Sequence, residues 1–223
     1  MIVTQIDTLL IGGPKPFRTD GEMSAMARDA VNRPVMLRRL GFEGDQVADP
    51  SVHGGADKAV HFYPAEHYPK WIAHFAGEGF AHPLLEQAGA FGENISACGL
   101  TEDKVRIGDR FRMGKALVEV AQGRQPCWKI DHHFGVHGLT GAVIKMGWCG
   151  GYFRVIEEGE VAPGDRIERV EQADHDWTIE SVFRLLIGGG HRADGAGEQL
   201  RALAKLETLA ESWRNRAAKL AGK

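Results

Sequence analysis

Two periods of hydrophobic spacing divide this chain. From the N-terminus to about Val170, short β-branched or alternating segments follow one another: IVTQID, PVMLRRL, KAVHFY, ENIS, KVRI, RFRM, ALVEVA, YFRVIE and RIERVE. A period of two in such short runs marks strands. Turns recur too often for a helix to cross between every pair of them, so the spacing predicts a mainly β barrel or sandwich. Gly-Asp pairs at Gly44, Gly108 and Gly164 punctuate the run, because glycine supplies positive φ and aspartate can bond its own turn backbone.

Two helical interruptions are expected. PAEHYPKWIAHF begins at Pro64 in a first-turn position and sets Tyr68, Trp71 and Phe75 on one face. HGLTGAVIKM ends at Gly147, a C-terminal glycine stop. After about Gln172 the period becomes helical. TIESVFRLLI follows Asp176 as N-cap, then comes a GGGH loop, then EQLRALAKLETLAESWRNRAAKL with apolar residues at Leu200, Leu203, Leu206, Leu209, Trp213 and Leu220. The division predicted is a β domain over 1–172 and a small helical domain of two or three helices over 173–223.

Composition narrows the classes. With 223 residues, 43% hydrophobic and 26% charged, the chain has the material for a packed core rather than a disordered one. A net charge of -3 without long Lys/Arg runs argues against a nucleic-acid duplex as partner. The apolar run TLLIGG is short and follows Asp7, so neither a signal peptide nor a membrane span is read. Cys98, Cys127 and Cys149 are odd in number and lack C-x-x-C spacing, which fits reduced thiols and a cytoplasmic setting.

The candidate chemistry gathers in three stretches. In VAQGRQPCWKIDHH, Cys127 sits just after an apolar strand, between Arg124 and Lys129, His132, His133. Cations beside a thiol favour its thiolate, the form that attacks, carries sulfur or binds a soft metal. A buried, inert cysteine is the competing reading, and Cys98 and Cys149, without such flanks, are left with it. In DPSVHGGADKAVHFYP, His53 and His61 flank a hairpin-like Gly-Gly turn carrying Asp57 and Lys58. Either a zinc site or an anion cradle of Gly54, Gly55 and Lys58 could form there, against a plain solvated turn. FGENIS offers Asn94, as a ligand donor or as an Asx-turn residue.

Other patterns fail. GDRFRMGKA has the wrong glycine spacing for a nucleotide-binding loop and Ala116 where Ser or Thr is required. The GGGH run has no strand before it and reads as a linker. His132 and His133, taken as adjacent on a strand, would point to opposite faces, so at most one reaches a site. Trp71 and Trp213 have helical apolar partners and read as core.

Taken in order, GFEGD (41–45), VHGGADKAVHFYP (52–64), FGENIS (91–96), IGDRFRMG (107–114) and VAQGRQPCWKI (120–130) resemble the MOSC family, named for the C-terminal domain of molybdenum cofactor sulfurases. GYFRVIEEGEVAPGD and the helical tail extend the likeness to its bacterial YiiM-type subgroup over nearly the whole chain. The resemblance implies a MOSC-type, β-barrel-like domain with a three-helix C-terminal appendage and a molybdopterin-type molybdenum cofactor. It makes Cys127 the molybdenum ligand, Lys58, Asn94, Arg124 and Lys129 cofactor-binding residues, and His53 a catalytic or cofactor-binding one. Gly123 stands where the related motif more often has proline, which would loosen the loop.

The activity implied is reduction of N-hydroxylated compounds, such as hydroxylamino-purine base analogues, to amines, with electrons from a flavin-dependent reductase. A sulfur carrier using a Cys127 persulfide is the rival, and a zinc hydrolase built on His53, His61 and His132 a third reading. Aromatic residues in the helical tail offer a homodimer interface.

Overall fold

The computed structural model describes residues 2–18 and 21–222, with every side chain but those of Ser51 and Val52; the outer ends of the two expected domains, Met1 and Lys223, fall outside it. In chain order the strands are β1 (Val3–Gln5), β2 (Thr8–Ile11), β3 (Lys15–Pro16), β4 (Met23–Ser24), β5 (Asp29–Ala30), β6 (Val35–Arg38), β7 (Gly41–Phe42), β8 (Val60–Pro64), β9 (Ile95–Ala97), β10 (Arg110–Met113), β11 (Ala116–Gly123), β12 (Gly151–Glu157), β13 (Gly159–Val161) and β14 (Arg166–Glu171). The helices are α1 (Pro50–His53), α2 (His67–Gly77), α3 (Lys129–Phe134), α4 (Leu139–Met146), α5 (Ile179–Leu186), α6 (Ala196–Ala204) and α7 (Glu211–Ala221).

Nine strands form one sheet in the order β1-β14-β10-β11-β12-β8-β9-β2-β5, while β13-β6-β7 and β3-β4 make two smaller sheets. Neighbours in the large sheet run antiparallel except β8 and β9, which are parallel and are joined through α2. The edges β1 and β5 do not pair with each other, so the expected barrel-like shape is an open sheet rather than a closed one. β11 is buried along nearly its whole length, the signature of a strand covered on both faces, whereas β12 alternates buried and half-buried residues. The mainly β reading with short helices holds, and the tail folds as three helices, α5 to α7.

α2 shows how an aromatic face anchors a crossover. Tyr68, Trp71 and Phe75 are buried on it as the spacing predicts. Each such side chain contributes roughly 1.5–3 kcal/mol by leaving water, and the polar atoms among them are satisfied. Trp71 Nε1 donates to Tyr63 Oη at 2.7 Å, and Tyr63 donates to the Trp148 carbonyl at 3.2 Å. Tyr63 also stacks on Phe91 at 4.4 Å, which ties β8 to the loop before β9.

Several local expectations are corrected. Pro64 closes β8, paired with Ala97, and α2 starts three residues later; the proline in its first turn is Pro69, where an N–H would go unused anyway. KVRI has buried Val105 and Ile107, yet forms only an isolated bridge from Arg106 to Thr178. Its partner is the short segment before α5, too brief for a ladder. The N-cap of α5 is Thr178, whose Oγ1 accepts from Ser181 N at 3.1 Å; Asp176 instead pairs with Arg106 at 2.7 Å. The 49–64 stretch is no hairpin but a short helix, a 3-10 turn over 56–58 and a strand. His132 and His133 lie on α3, not on a strand. The stop at Gly147 is as expected, with φ 76° and its N–H bonded to Val143 O. Of the tail's aromatic residues, Phe183 and Trp213 are buried in the core and Trp177 is half-buried.

Candidate functional site

A cavity of about 460 Å³ opens between the 24–28 segment, the 40–59 segment, the loop before β9 and the chain leaving β11. His53, Lys58, Asn94, Arg124, Cys127 and Lys129, all singled out from sequence, line it together. Residues drawn from three distant stretches meet because β11 and β8 both flank β12, which carries their ends to the same place.

Arg124 follows directly on β11 and is 7% exposed. Its backbone N–H bonds Gly150 O at 3.2 Å, and among the described residues no carboxylate pairs with its guanidinium. A buried cation without a counter-ion is costly, and the open side of this one is the cavity. Cys127, three residues on, is half-buried on the same wall. Lys129 begins α3 and is 9% exposed; its Nζ donates to Met23 O at 2.9 Å and pairs with Glu22 at 2.8 Å, so it also ties down the β3-β4 hairpin. His132 lies off the cavity, bonded to the Phe17 carbonyl at 3.0 Å.

His53 and Lys58 line the same cavity from the 40–59 segment. Gly54 packs so close to α1 that a Cβ there would meet Pro50 O at 3.1 Å, and Gly55 has φ 100°. Only glycine suits either position, and the bare turn lets backbone approach a ligand. Burial is the first cause holding the His53 imidazole below its ordinary range, with Lys129, Lys58 and Arg124 adding to it, so His53 is neutral at pH 7. Burial likewise lowers Lys58.

Behind these residues stands a second set. Asp45 accepts from Arg28 Nε at 2.7 Å and Nη2 at 3.0 Å, from Gly12 N at 2.9 Å and from Asn94 Nδ2 at 3.0 Å. Arg28 Nη1 also donates to Gly92 O at 2.5 Å. Asn94 is wholly engaged, since its Oδ1 accepts from His61 N at 3.0 Å and its Nδ2 also reaches Leu10 O. It therefore braces the cavity wall rather than offering a free donor. His61 faces Gly92 O through Nδ1 at 3.1 Å; burial, then Arg124, hold its ring well below its ordinary range. Glu93, fully buried, folds the preceding loop by accepting from Gly89 N, Phe91 N and Tyr68 Oη.

The sequence missed Arg28 and Asp45. Asp45 stands in a Gly-Asp turn like those at Gly108 and Gly164, and all three glycines do have positive φ. Asp109 and Asp165 bond their own turns, to Arg106 N and Ala162 N, while Asp45 reaches across the cavity wall. Gly123 is not a loosening point: it is buried at the end of β11, where a Cβ would meet Ile179 Cγ2 at 3.1 Å and Trp213 Cη2 at 3.3 Å. Cys149 is buried as expected, but Cys98 is exposed. No cluster of three His, Cys, Asp or Glu residues able to hold a metal ion occurs among the described residues, and His132 does not join His53 and His61. No described helix is long and apolar enough to cross a membrane.

Residues 49–168, more than half of the chain, match the MOSC domain family. The uncharacterized protein YflK of Bacillus subtilis (strain 168) is 42% identical over 210 residues, 93% of this chain and 90% of that protein. A protein of Gibberella moniliformis (strain M3125 / FGSC 7600) named Reductase is 34% identical over 164 residues, 73% of this chain but 28% of that longer protein. The crystal structure of YiiM from Geobacillus stearothermophilus matches with a TM-score of 0.78 at 30% identity, covering 98% of this chain and 99% of that one.

Proposed function

The chain belongs to the MOSC domain family, and on that footing we propose that its cavity holds a molybdenum cofactor and reduces N-hydroxylated compounds to amines. The observation that carries the reading is Arg124, a buried cation that meets no carboxylate among the described residues, on one cavity with the half-buried Cys127 thiol. A phosphate-bearing ligand with a soft metal meets both: phosphate answers an unpaired guanidinium, and thiolate is a preferred ligand for soft metals. Bound there, the cofactor supplies the two-electron couple by which R-NHOH, taking two electrons and two protons, leaves as R-NH2 and water.

Each residue has work to do in this reading. Cys127 offers its sulfur to the metal. Arg124 and Lys58 would hold the phosphate, with the Gly54–Gly55 backbone on the same cavity. Lys129 divides its charge between the cavity and Glu22 of the hairpin. His53, held below its ordinary range by burial and the nearby cations, could take a proton on a ring nitrogen beside an anion that offsets those cations. Asn94 and Asp45 hold the wall in place. Electrons come from a flavin-dependent reductase in the cytoplasm, and the name of the fungal relative favours redox chemistry.

The test is Cys127→Ser made in a host that synthesises the cofactor. Elemental analysis and pterin fluorescence should show cofactor in the wild type and molybdenum lost from the variant, together with reductase activity on an N-hydroxylated purine. A metal-loaded, active variant overturns the ligand assignment. A persulfide on Cys127 of a metal-free wild type would instead identify a sulfur carrier.

A further inference from the structure

The last helix lies outside the cavity, yet its first turn touches both chain segments that carry Lys58 and Arg124. Ala210, the N-cap of α7, donates its N–H to Ala121 O in β11 at 2.9 Å. Glu211, the first helical residue, donates its N–H to Asp57 Oδ2 at 3.4 Å, and Asp57 is also held by Arg154 Nε at 2.9 Å. Asp57 immediately precedes Lys58. On the other side, Trp213 presses on Gly123, which immediately precedes Arg124, and Ile179 of α5 closes the same gap.

These contacts span a real distance. Arg124 leaves the end of β11, Lys58 stands just before β8, and β12 lies between the two strands. Two strand spacings make about 10 Å sideways, and because Val60 and Val120 both pair with Phe153, Lys58 before β8 is also offset from Arg124 along the strands; no sheet hydrogen bond joins β11 to β8 directly. The first turn of α7 crosses that interval and holds each side through the residue next to the cation or through its strand. At Gly123 the fit leaves no slack, since even a methyl group would come within 3.1 Å of Ile179 and 3.3 Å of Trp213.

We infer that the first turn of α7 is a positioning element, which sets the separation of Arg124 and Lys58 and so the grip of the cavity on a phosphate-bearing ligand. The inference rests on the anion-binding half of the function proposed above and needs no molybdenum. It also gives the helical appendage a purpose in a chain whose cavity residues all lie before it in sequence.

Asp57→Ala separates position from charge. Removing a carboxylate beside Lys58 raises the positive field of the cavity, so electrostatics alone tightens phosphate binding. Loss of the tether to Glu211 weakens it, as does loss of the tie to Arg154, which joins Asp57 to Glu119 of β11, so the Gly123 and Trp213 variants assign the effect to α7. Inorganic phosphate is titrated calorimetrically into cofactor-free full-length protein, well below the melting midpoint of each variant. The expected result is a dissociation constant raised on the order of tenfold in Asp57→Ala, within the loss that a sub-ångström misplacement brings. Gly123→Ala should weaken binding similarly, and Gly123→Ala with Trp213→Phe, which relieves the contact with α7 but not the one with Ile179, should recover part of it.

Phosphate bound by the variants as tightly as by the wild type, or more tightly by Asp57→Ala, overturns the role of α7 and leaves the anion site standing. If the wild type takes up no phosphate, both readings fall. Should Asp57→Ala not fold, the Gly123 and Trp213 pair decides by itself, because a purely structural role would restore the melting temperature in the double variant without changing phosphate affinity.

Discussion

Two arginines line the cavity and do opposite work. The Arg28 side chain is 7% exposed and is fully answered by the Asp45 carboxylate and the Gly92 carbonyl. Arg124, buried as a whole residue, meets no carboxylate among the described residues. Both lower the His61 ring, Arg124 more than Arg28. Burial alone therefore does not separate a wall from a binding group. What separates them is whether the protein has already supplied the partner.

The comparison breaks most visibly at Asp45. Asp45→Ala leaves Arg28 as an uncompensated buried charge and should cost about 3–5 kcal/mol in urea unfolding. Arg124→Gln removes a charge that has no carboxylate partner among the described residues, so the cofactor-free protein should keep or gain stability while losing phosphate binding. Equal destabilisation by both substitutions would erase the distinction.

A smaller effect is expected at Gly92, whose carbonyl serves both Arg28 and His61. It has φ 73°, and a Cβ there would lie 3.2 Å from Met26 Cα, so Gly92→Ala should cost roughly 1–2 kcal/mol. Thermal melts compared with Gly55→Ala, which has open space around it, would isolate the packing share.

The smallest effect is a pH slope. His61 and His53 are both held below their ordinary range in the fold, so the unfolded chain binds protons first. Their contribution to stability is whole above about pH 6.5, the unfolded value, and is lost as pH falls towards the depressed folded values. In Arg124→Gln one of the lowering charges is gone, and melting temperatures between pH 7 and 5 should fall less steeply than in the wild type. An unchanged slope would mean that Arg124 does not govern these rings.

Much of the site was legible because its chemistry is carried by short motifs. Cys127 with its flanking cations, the Gly-Gly turn before Lys58 and the FGEN loop each hold their cavity residues within a few positions. What could not be read was partnership over distance. Arg28 and Asp45 are 17 residues apart, and Asp45 and Asn94 are 49 apart, with no local sign that these residues meet. Asn94 was expected to face the ligand, since sequence does not reveal that the backbone of His61 and the carbonyl of Leu10 already occupy it. Secondary structure failed where the same alternation served another geometry. Val105 and Ile107 are buried as in a strand, but Asp109 accepts from Arg106 N and turns the chain away. Gly135, left-handed at the end of α3, was the available sign that the two histidines are helical.

The three cysteines occupy three environments, and this gives the molecule an internal gauge of its own unfolding. Cys98 is exposed and Cys127 half-buried, whereas Cys149 is sealed in the core with its thiol held in the protonated form by burial. A maleimide probe therefore finds two labelling positions on the native chain and a third only when the core opens, so a mass spectrum of labelled protein counts intact and opened molecules directly. A ligand seated over Cys127 would subtract one label without disturbing the other two.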